Sequence, residues 1–193
     1  MSSSPFGIRK GFSKDDIKVG GELRPFIYEI PTVPNPNSDF PLVFAQITPL
    51  YGVSCVIAQT KLIVSEGSYG VNFKKLFDKF VDQLSIKYKK PNHIIDNFDS
   101  ITKGLFKSYG KINEFKDVEY YGLWDGKERV GNILLPNNLI LIELGFNSAD
   151  NDHDKKYFFL KYFYDNYQLA KQEIKNMKEN ALREKNNMDW NAL

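Results

Sequence analysis

Cys55, with His93 or His153 as its base, is the only nucleophile–base pair of its kind that this chain can assemble. Cys55 lies in Val53–Val64, a run that is apolar on both faces of the strand it predicts. A cysteine in such a run behaves as a small buried hydrophobe. The reading is therefore a structural thiol. One cysteine makes no disulfide within the chain and no CxxC pair. With two histidines beside it, a His/Cys zinc centre is nearly excluded.

The densest acidic cluster is Asp150-Asn-Asp152-His153-Asp154. Alternating acids can open a calcium loop, which needs glycine at its sixth place and glutamate at its twelfth. Counted from Asp150, those places hold Lys155 and Lys161. A solvated loop from Asn147 to Asp154 is predicted instead. Glu119, Asp125, Glu128 and Glu143 fall on neighbouring predicted strands. Acid–base work would need two of them about 5–10 Å apart in a cleft. Charges facing out from a half-exposed sheet are the simpler reading. Gly67-Ser68-Tyr69-Gly70 lacks the G-x-S-x-G spacing and reads as a turn. No G-x-x-x-x-G-K-[ST] or G-x-G-x-x-G phosphate loop is present. No catalytic, cofactor-binding or metal-ligating residue is assigned, and no enzyme activity is expected.

The best basic–aromatic patch is Lys87-Tyr88-Lys89-Lys90. Interleaved lysine and tyrosine can hold phosphate and stack on bases. Tyr88, however, completes the apolar stripe of a predicted helix, and lysines suit a helix C-terminus. Lys and Arg number 26 against 24 Asp and Glu, a net charge of +2. Neither a basic nucleic-acid binder nor an acidic DNA mimic has that balance. Arginine, the usual reader of phosphates and bases, occurs only as Arg9, Arg24, Arg129 and Arg183. Nucleic acid is not the expected partner.

The elements that must position any site follow from periodicity. Of the 193 residues 42% are hydrophobic and 15% aromatic, enough to bury a core. Ser13 is placed to cap a short helix over Ser13–Ile17, with Asp15 and Asp16 in its first turn. Arg24–Val33, Leu42–Thr48 and Val53–Val64 predict strands, the last a central one. Phe73, Leu76, Phe77, Phe80, Val81, Leu84 and Tyr88 recur at helical spacing, so an amphipathic helix is predicted over 72–89, capped by Asn72. The stretch 92–117 is ambiguous, with Ile94, Ile95 and Phe98 able to open a second helix. Val118–Trp124, Lys127–Leu134, Leu139–Phe146 and Tyr157–Tyr164 predict a four-strand antiparallel meander, its first turn at Asp125-Gly126. A narrow stripe of Ala170, Ile174, Met177 and Ala181 predicts a helix over 166–182, followed by a fraying polar tail.

Strands and helices come in separate runs, which predicts α+β with antiparallel sheet, a central amphipathic helix and a C-terminal helix. The chain divides either into halves at 1–92 and 93–193 or not at all. No apolar run reaches the roughly 20 residues that a bilayer span needs. The start Met1-Ser-Ser-Ser-Pro-Phe-Gly has no basic or apolar leader region, so a cytoplasmic location is expected.

Three motifs carry a resemblance: Pro5-Phe-Gly-Ile-Arg-Lys-Gly-Phe-Ser-Lys-Asp-Asp-Ile17, the helix from Tyr69-Gly70 to Tyr88, and Gly122-Leu-Trp-Asp-Gly-Lys-Glu-Arg129. With the ending Tyr164–Leu182 they resemble a family of uncharacterised cytoplasmic α+β proteins of bacterial chromosomes and prophages. The opening is also similar in fold to the modules of the β-lactamase inhibitor protein and the outer-membrane assembly lipoprotein. The resemblance implies an α+β fold and brings no activity or site residue.

A compact aromatic-rich chain without active-site chemistry suits a non-catalytic protein that binds another macromolecule, with a protein as the expected partner, for example as an inhibitor of a bacterial defence system or an immunity protein. Such binders need a complementary surface and a few aromatic anchors. The anchors expected here are Tyr120, Tyr121, Trp124 and Trp190, with the proline loop at Pro34 and Pro36. A nucleic-acid module and an enzyme without a recognisable motif are the alternatives. A homodimer is compatible with all three.

Overall fold

A computed structural model describes residues 4–64, 71–91, 93–96, 120–125, 135–149 and 152–191. The protein is α+β, and its described residues form one open antiparallel sheet and two α-helices. The strands are β1 (Glu22–Arg24), β2 (Ile27–Glu29), β3 (Leu42–Thr48), β4 (Gly52–Gln59), β5 (Ile63–Val64), β6 (His93–Asp96), β7 (Tyr120–Asp125), β8 (Leu139–Ala149) and β9 (Asp152–Tyr164). The helices are α1 (Val71–Tyr88) and α2 (Tyr167–Asn191). The strand order is β1-β2-β3-β4-β9-β8-β7-β6, and β5 continues the line of β4 along β9.

The central pairing joins β4 to β9, residues a hundred positions apart in sequence, with Val56 opposite Tyr162 and Ala58 opposite Leu160. The expectation of a central strand at β4 holds. Its residues from Gly52 to Val56 are all buried, because strands flank it on both edges and other layers lie on both faces at that end.

One face of the sheet is dry. Val43 and Ala45 of β3, Val56 and Ala58 of β4, Leu160 and Tyr162 of β9, and Ile142 and Leu144 of β8 share it. Helix α1 seals this face with Phe73, Phe77, Phe80, Leu84 and Tyr88, all buried. The predicted stripe is the stripe observed, and the helix begins one residue before its predicted start. Phe158 is the hub. Its ring centroid lies 5.4 Å from Phe80 and 6.1 Å from both Phe73 and Phe146. Such edge-on and tilted aromatic pairs add to the area they bury.

Several local expectations are corrected. Arg24–Val33 is not one strand. Phe26 has φ of 68°, and its N–H donates to Glu22 Oε1 at 2.7 Å, so the chain doubles back and β1 pairs with β2. Ser13–Ile17 closes a single turn and forms no helix. Ser13 N–H and Oγ both donate to Asp16 Oδ2, at 2.7 and 2.8 Å. The capping pair forms, but Gly20 N–H then donates to the Glu29 carbonyl and draws the chain to β2. Val53–Val64 splits after Gln59, where Phe158 N–H donates to the Thr60 side chain at 3.0 Å.

Ile94 and Ile95 belong to β6, paired with β7, and not to a helix. The expected polar loop at Asn147–Asp154 is mostly strand, because β8 runs to Ala149 and β9 starts at Asp152. The C-terminal tail does not fray at residue 182, since α2 continues to Asn191. The predicted strand Lys127–Leu134 and most of 92–117 lie outside the described residues. Among the described residues no helix is long and apolar enough to cross a membrane.

Candidate interaction face

The second face of the sheet is built from the alternate residues. Across it Glu29, Phe44, Ile57, Lys161 and Glu143 stand opposite one another on five successive strands. The next row is Leu42, Gln59, Phe159 and Gly145. Here Phe44, Ile57 and Phe159 are half-buried, and Leu42 is exposed at 43%. On the other side of the Phe44–Ile57–Lys161 row, the row with Cys55 and Phe163 is covered by the start of α2, where Tyr167 meets Phe163 edge-on at 4.7 Å. Among the described residues, the helices thus close one face of the sheet and only one end of the other.

A built cluster occupies the middle of the open part. Gly145 stands opposite Phe159, and a Cβ on Gly145 would come within 2.5 Å of the Phe159 Cζ. The absence of a side chain lets the ring lie flat across the neighbouring strand. Lys161 Nζ sits 4.5 Å from the centre of that ring and 3.4 Å from Glu143 Oε2. The ring, the ammonium and the carboxylate form one surface patch, apolar with a charged centre. An ion pair this exposed adds at most about 1 kcal/mol to stability, so its value lies in orientation.

Of the nucleophile, bases and acids weighed from sequence, Cys55 and Glu143 are the ones whose side chains lie among the described residues. Cys55 is buried at 2% exposure, as its sequence context predicts. Desolvation pushes its thiol far above the ordinary range. Thiolate chemistry is thereby suppressed. Glu143 faces out of the sheet, as expected, and pairs with Lys161. Among the described residues no three His, Cys, Asp or Glu side chains gather to hold a metal. Tyr88 is 2% exposed, so the Lys87–Lys90 patch has no free ring for a base.

The expected anchors fall on three separate elements. Pro34 and Pro36 are exposed on the loop between β2 and β3. That loop is tied to the 3-10 turn Pro5–Gly7, through Asn35 N–H donating to the Phe6 carbonyl at 3.1 Å. Tyr120, Tyr121 and Trp124 lie on β7, four strands away from β3 in the sheet. That separation is about 19 Å at ordinary strand spacing. Trp190 lies in the last turn of α2. The side chains of these four aromatics lie outside the described residues.

The open face was not singled out from sequence. Its signal was the alternation in Leu42–Thr48 and Tyr157–Tyr164, legible as strand but silent about which face a helix covers. Comparison with protein families, with curated proteins and with solved structures yields no match.

Proposed function

We propose that the protein is a non-catalytic binder of another protein and that the open sheet face receives the partner. The carrying observation is the asymmetry of the sheet. One face is sealed by α1, while Phe44, Ile57, Phe159 and Leu42 stand partly in water on the other. Sheets bury an apolar face against a second layer. Contiguous apolar surface rimmed by charge is characteristic of a contact surface. The Phe159–Lys161–Glu143 cluster would give such a contact its register, because charged pairs at an interface select orientation more than they add affinity. A burial-suppressed cysteine supports the non-catalytic part.

Within this class we favour a blocking role, as an inhibitor of a bacterial defence system or an immunity protein. A preformed sheet face requires no moving part or cofactor for that role. The test is affinity capture with wild-type protein and with Phe44→Asp/Ile57→Asp, each first checked for native circular dichroism. We expect a stoichiometric protein that the wild type retains and the folded double variant loses. Equal retention by both would move the interface elsewhere, and a nucleic-acid eluate would support the alternative binder.

A further inference from the structure

Helix α2 is anchored to the body through its first turns. Asn166 Nδ2 donates to the Tyr51 carbonyl at 2.9 Å and to the Val53 carbonyl at 3.1 Å, and Glu173 Oε1 accepts from Leu50 N–H at 3.0 Å. Ala170 and Glu173 are buried, and Ile174 is half-buried. Every residue from Lys175 to Lys185 is exposed. At 1.5 Å per residue, about 16 Å of helix is thereby open on all sides. The side chains sort by angle. At about 100° per residue, Lys171, Lys175, Lys178 and Lys185 fall within one arc of about 80°. Gln172, Asn176, Asn180 and Arg183 fall within a neighbouring arc of about 80°. All eight are exposed. Gln172 Nε2 donates to Asn176 Oδ1 at 2.8 Å, which places those two amides on one face. Glu179 lies between the two arcs, with Lys175 Nζ 3.8 Å from its Oε1.

Charge selects the occupant of this rod. A second copy of α2 has no matching row of carboxylates: across the stripe of Ile174, Met177 and Ala181 from the lysines stand Glu173, which is buried, and Asn180, which is neutral. The stripe itself is a thin seam for a partner helix, because Glu184 continues it one turn on. A row of phosphates supplies the opposite charge. Lysine holds phosphate as a point charge, and asparagine, glutamine and arginine read the edges of adenine and guanine. A helix with its side chains is about 10–12 Å across, and the major groove of duplex DNA is about 12 Å wide. The net charge of +2 averages the whole chain and does not record this local ridge.

We propose that the exposed length of α2 binds duplex DNA in its major groove, with Lys171, Lys178 and Lys185 on phosphates and Asn176, Asn180 and Arg183 toward the base edges. This contact is distinct from the open sheet face. The test is fluorescence anisotropy of a labelled mixed-sequence duplex of about 30 base pairs titrated with the full chain. We expect a Kd below about 10 μM at about 50 mM salt, and a log–log salt slope of about −0.9 for each phosphate paired. Lys171→Glu/Lys178→Glu/Lys185→Glu should weaken binding at least about tenfold and flatten that slope. Lys18→Glu/Lys61→Glu/Lys75→Glu makes the same change of net charge at other exposed positions and should stay within about threefold of the wild type. Asn176→Asp/Asn180→Asp puts carboxylates on the groove side and should also abolish binding, and it carries the test if the first variant does not fold. Absence of binding at about 100 μM would overturn the proposal. So would equal loss in the two lysine variants, survival of binding in the folded Asn176→Asp/Asn180→Asp chain, or a dimer formed through α2 with no duplex bound.

Discussion

The Tyr164 hydroxyl donates to the Ile8 carbonyl at 2.6 Å, and both residues are fully buried although 156 positions separate them. This bond stitches the N-terminal segment over the end of β9. Phe6 adds an edge-on contact with Tyr162 at 6.3 Å. Beyond it Gly11 N–H donates to the Val53 carbonyl and Val53 N–H to the Phe12 carbonyl, so the segment lines the end of β4.

Tyr164→Phe keeps the ring and strands the Ile8 carbonyl without a donor. Loss of one partner of a buried pair costs about 1–3 kcal/mol. Chemical denaturation should show that loss with an unchanged m-value. Hydrogen exchange at Gly11 and Val53 should accelerate more than exchange in α1. Equal acceleration everywhere would mean that the bond does not anchor the segment locally.

Cys55 should resist alkylation in the folded protein and react only as it unfolds. Its burial and raised thiol pKa both act in that direction. The rate with a small reagent should track denaturant concentration through the unfolding transition. Rapid reaction in native buffer would contradict the packing of β4 against α2.

Stability should fall as pH rises above about 10. Tyr88, Tyr162 and Tyr164 are buried, and desolvation raises all three phenols, Tyr88 from 10.0 to about 12. The folded pKa lies above the unfolded one, so the stabilisation is complete below pH 10 and is lost as pH rises through the folded value. Each such tyrosine contributes a slope of about 1.4 kcal/mol per pH unit in that window. Phenolate absorbance and loss of circular dichroism should therefore coincide. Tyr88→Phe should flatten the dependence between pH 10 and about 12.

Gly52→Ala should destabilise by more than about 2 kcal/mol. Gly52 has φ of 59°, and an added Cβ would overlap the backbone of Gly11 and Phe12. Backbone held by the Gly11–Val53 and Val53–Phe12 bonds cannot yield as a side chain would. Gly21→Ala is the control: nothing lies within 4 Å of its Cβ position, and its φ is ordinary. Its effect should stay within about 1 kcal/mol.

Phe159→Ala separates binding from folding. The ring is half-buried on an open face. Its removal should cost less than the roughly 3–5 kcal/mol of a core phenylalanine. Partner capture should nevertheless fail. A normal capture with folded Phe159→Ala would remove the ring from the proposed contact.

Sequence alone determined the α+β class, the seam of α1, the buried Cys55 and the central character of β4. Those features depend on residues near one another in the chain, where a period of 2.0 or 3.6 reports the buried side. It misread the Arg24–Val33 hairpin, because Phe26 at positive φ is stabilised by Glu22 and not by a turn-forming glycine. It also stopped the C-terminal helix at residue 182, where the stripe thins but helical backbone continues to Asn191. Only the tertiary structure decided that β9 pairs with β4, that α1 covers one face of their sheet, and that Gly145 seats Phe159 beside Lys161. Alternation marks two faces in a strand without saying which one a helix will cover. That choice is made by the packing of segments distant in sequence, and local period carries no trace of it.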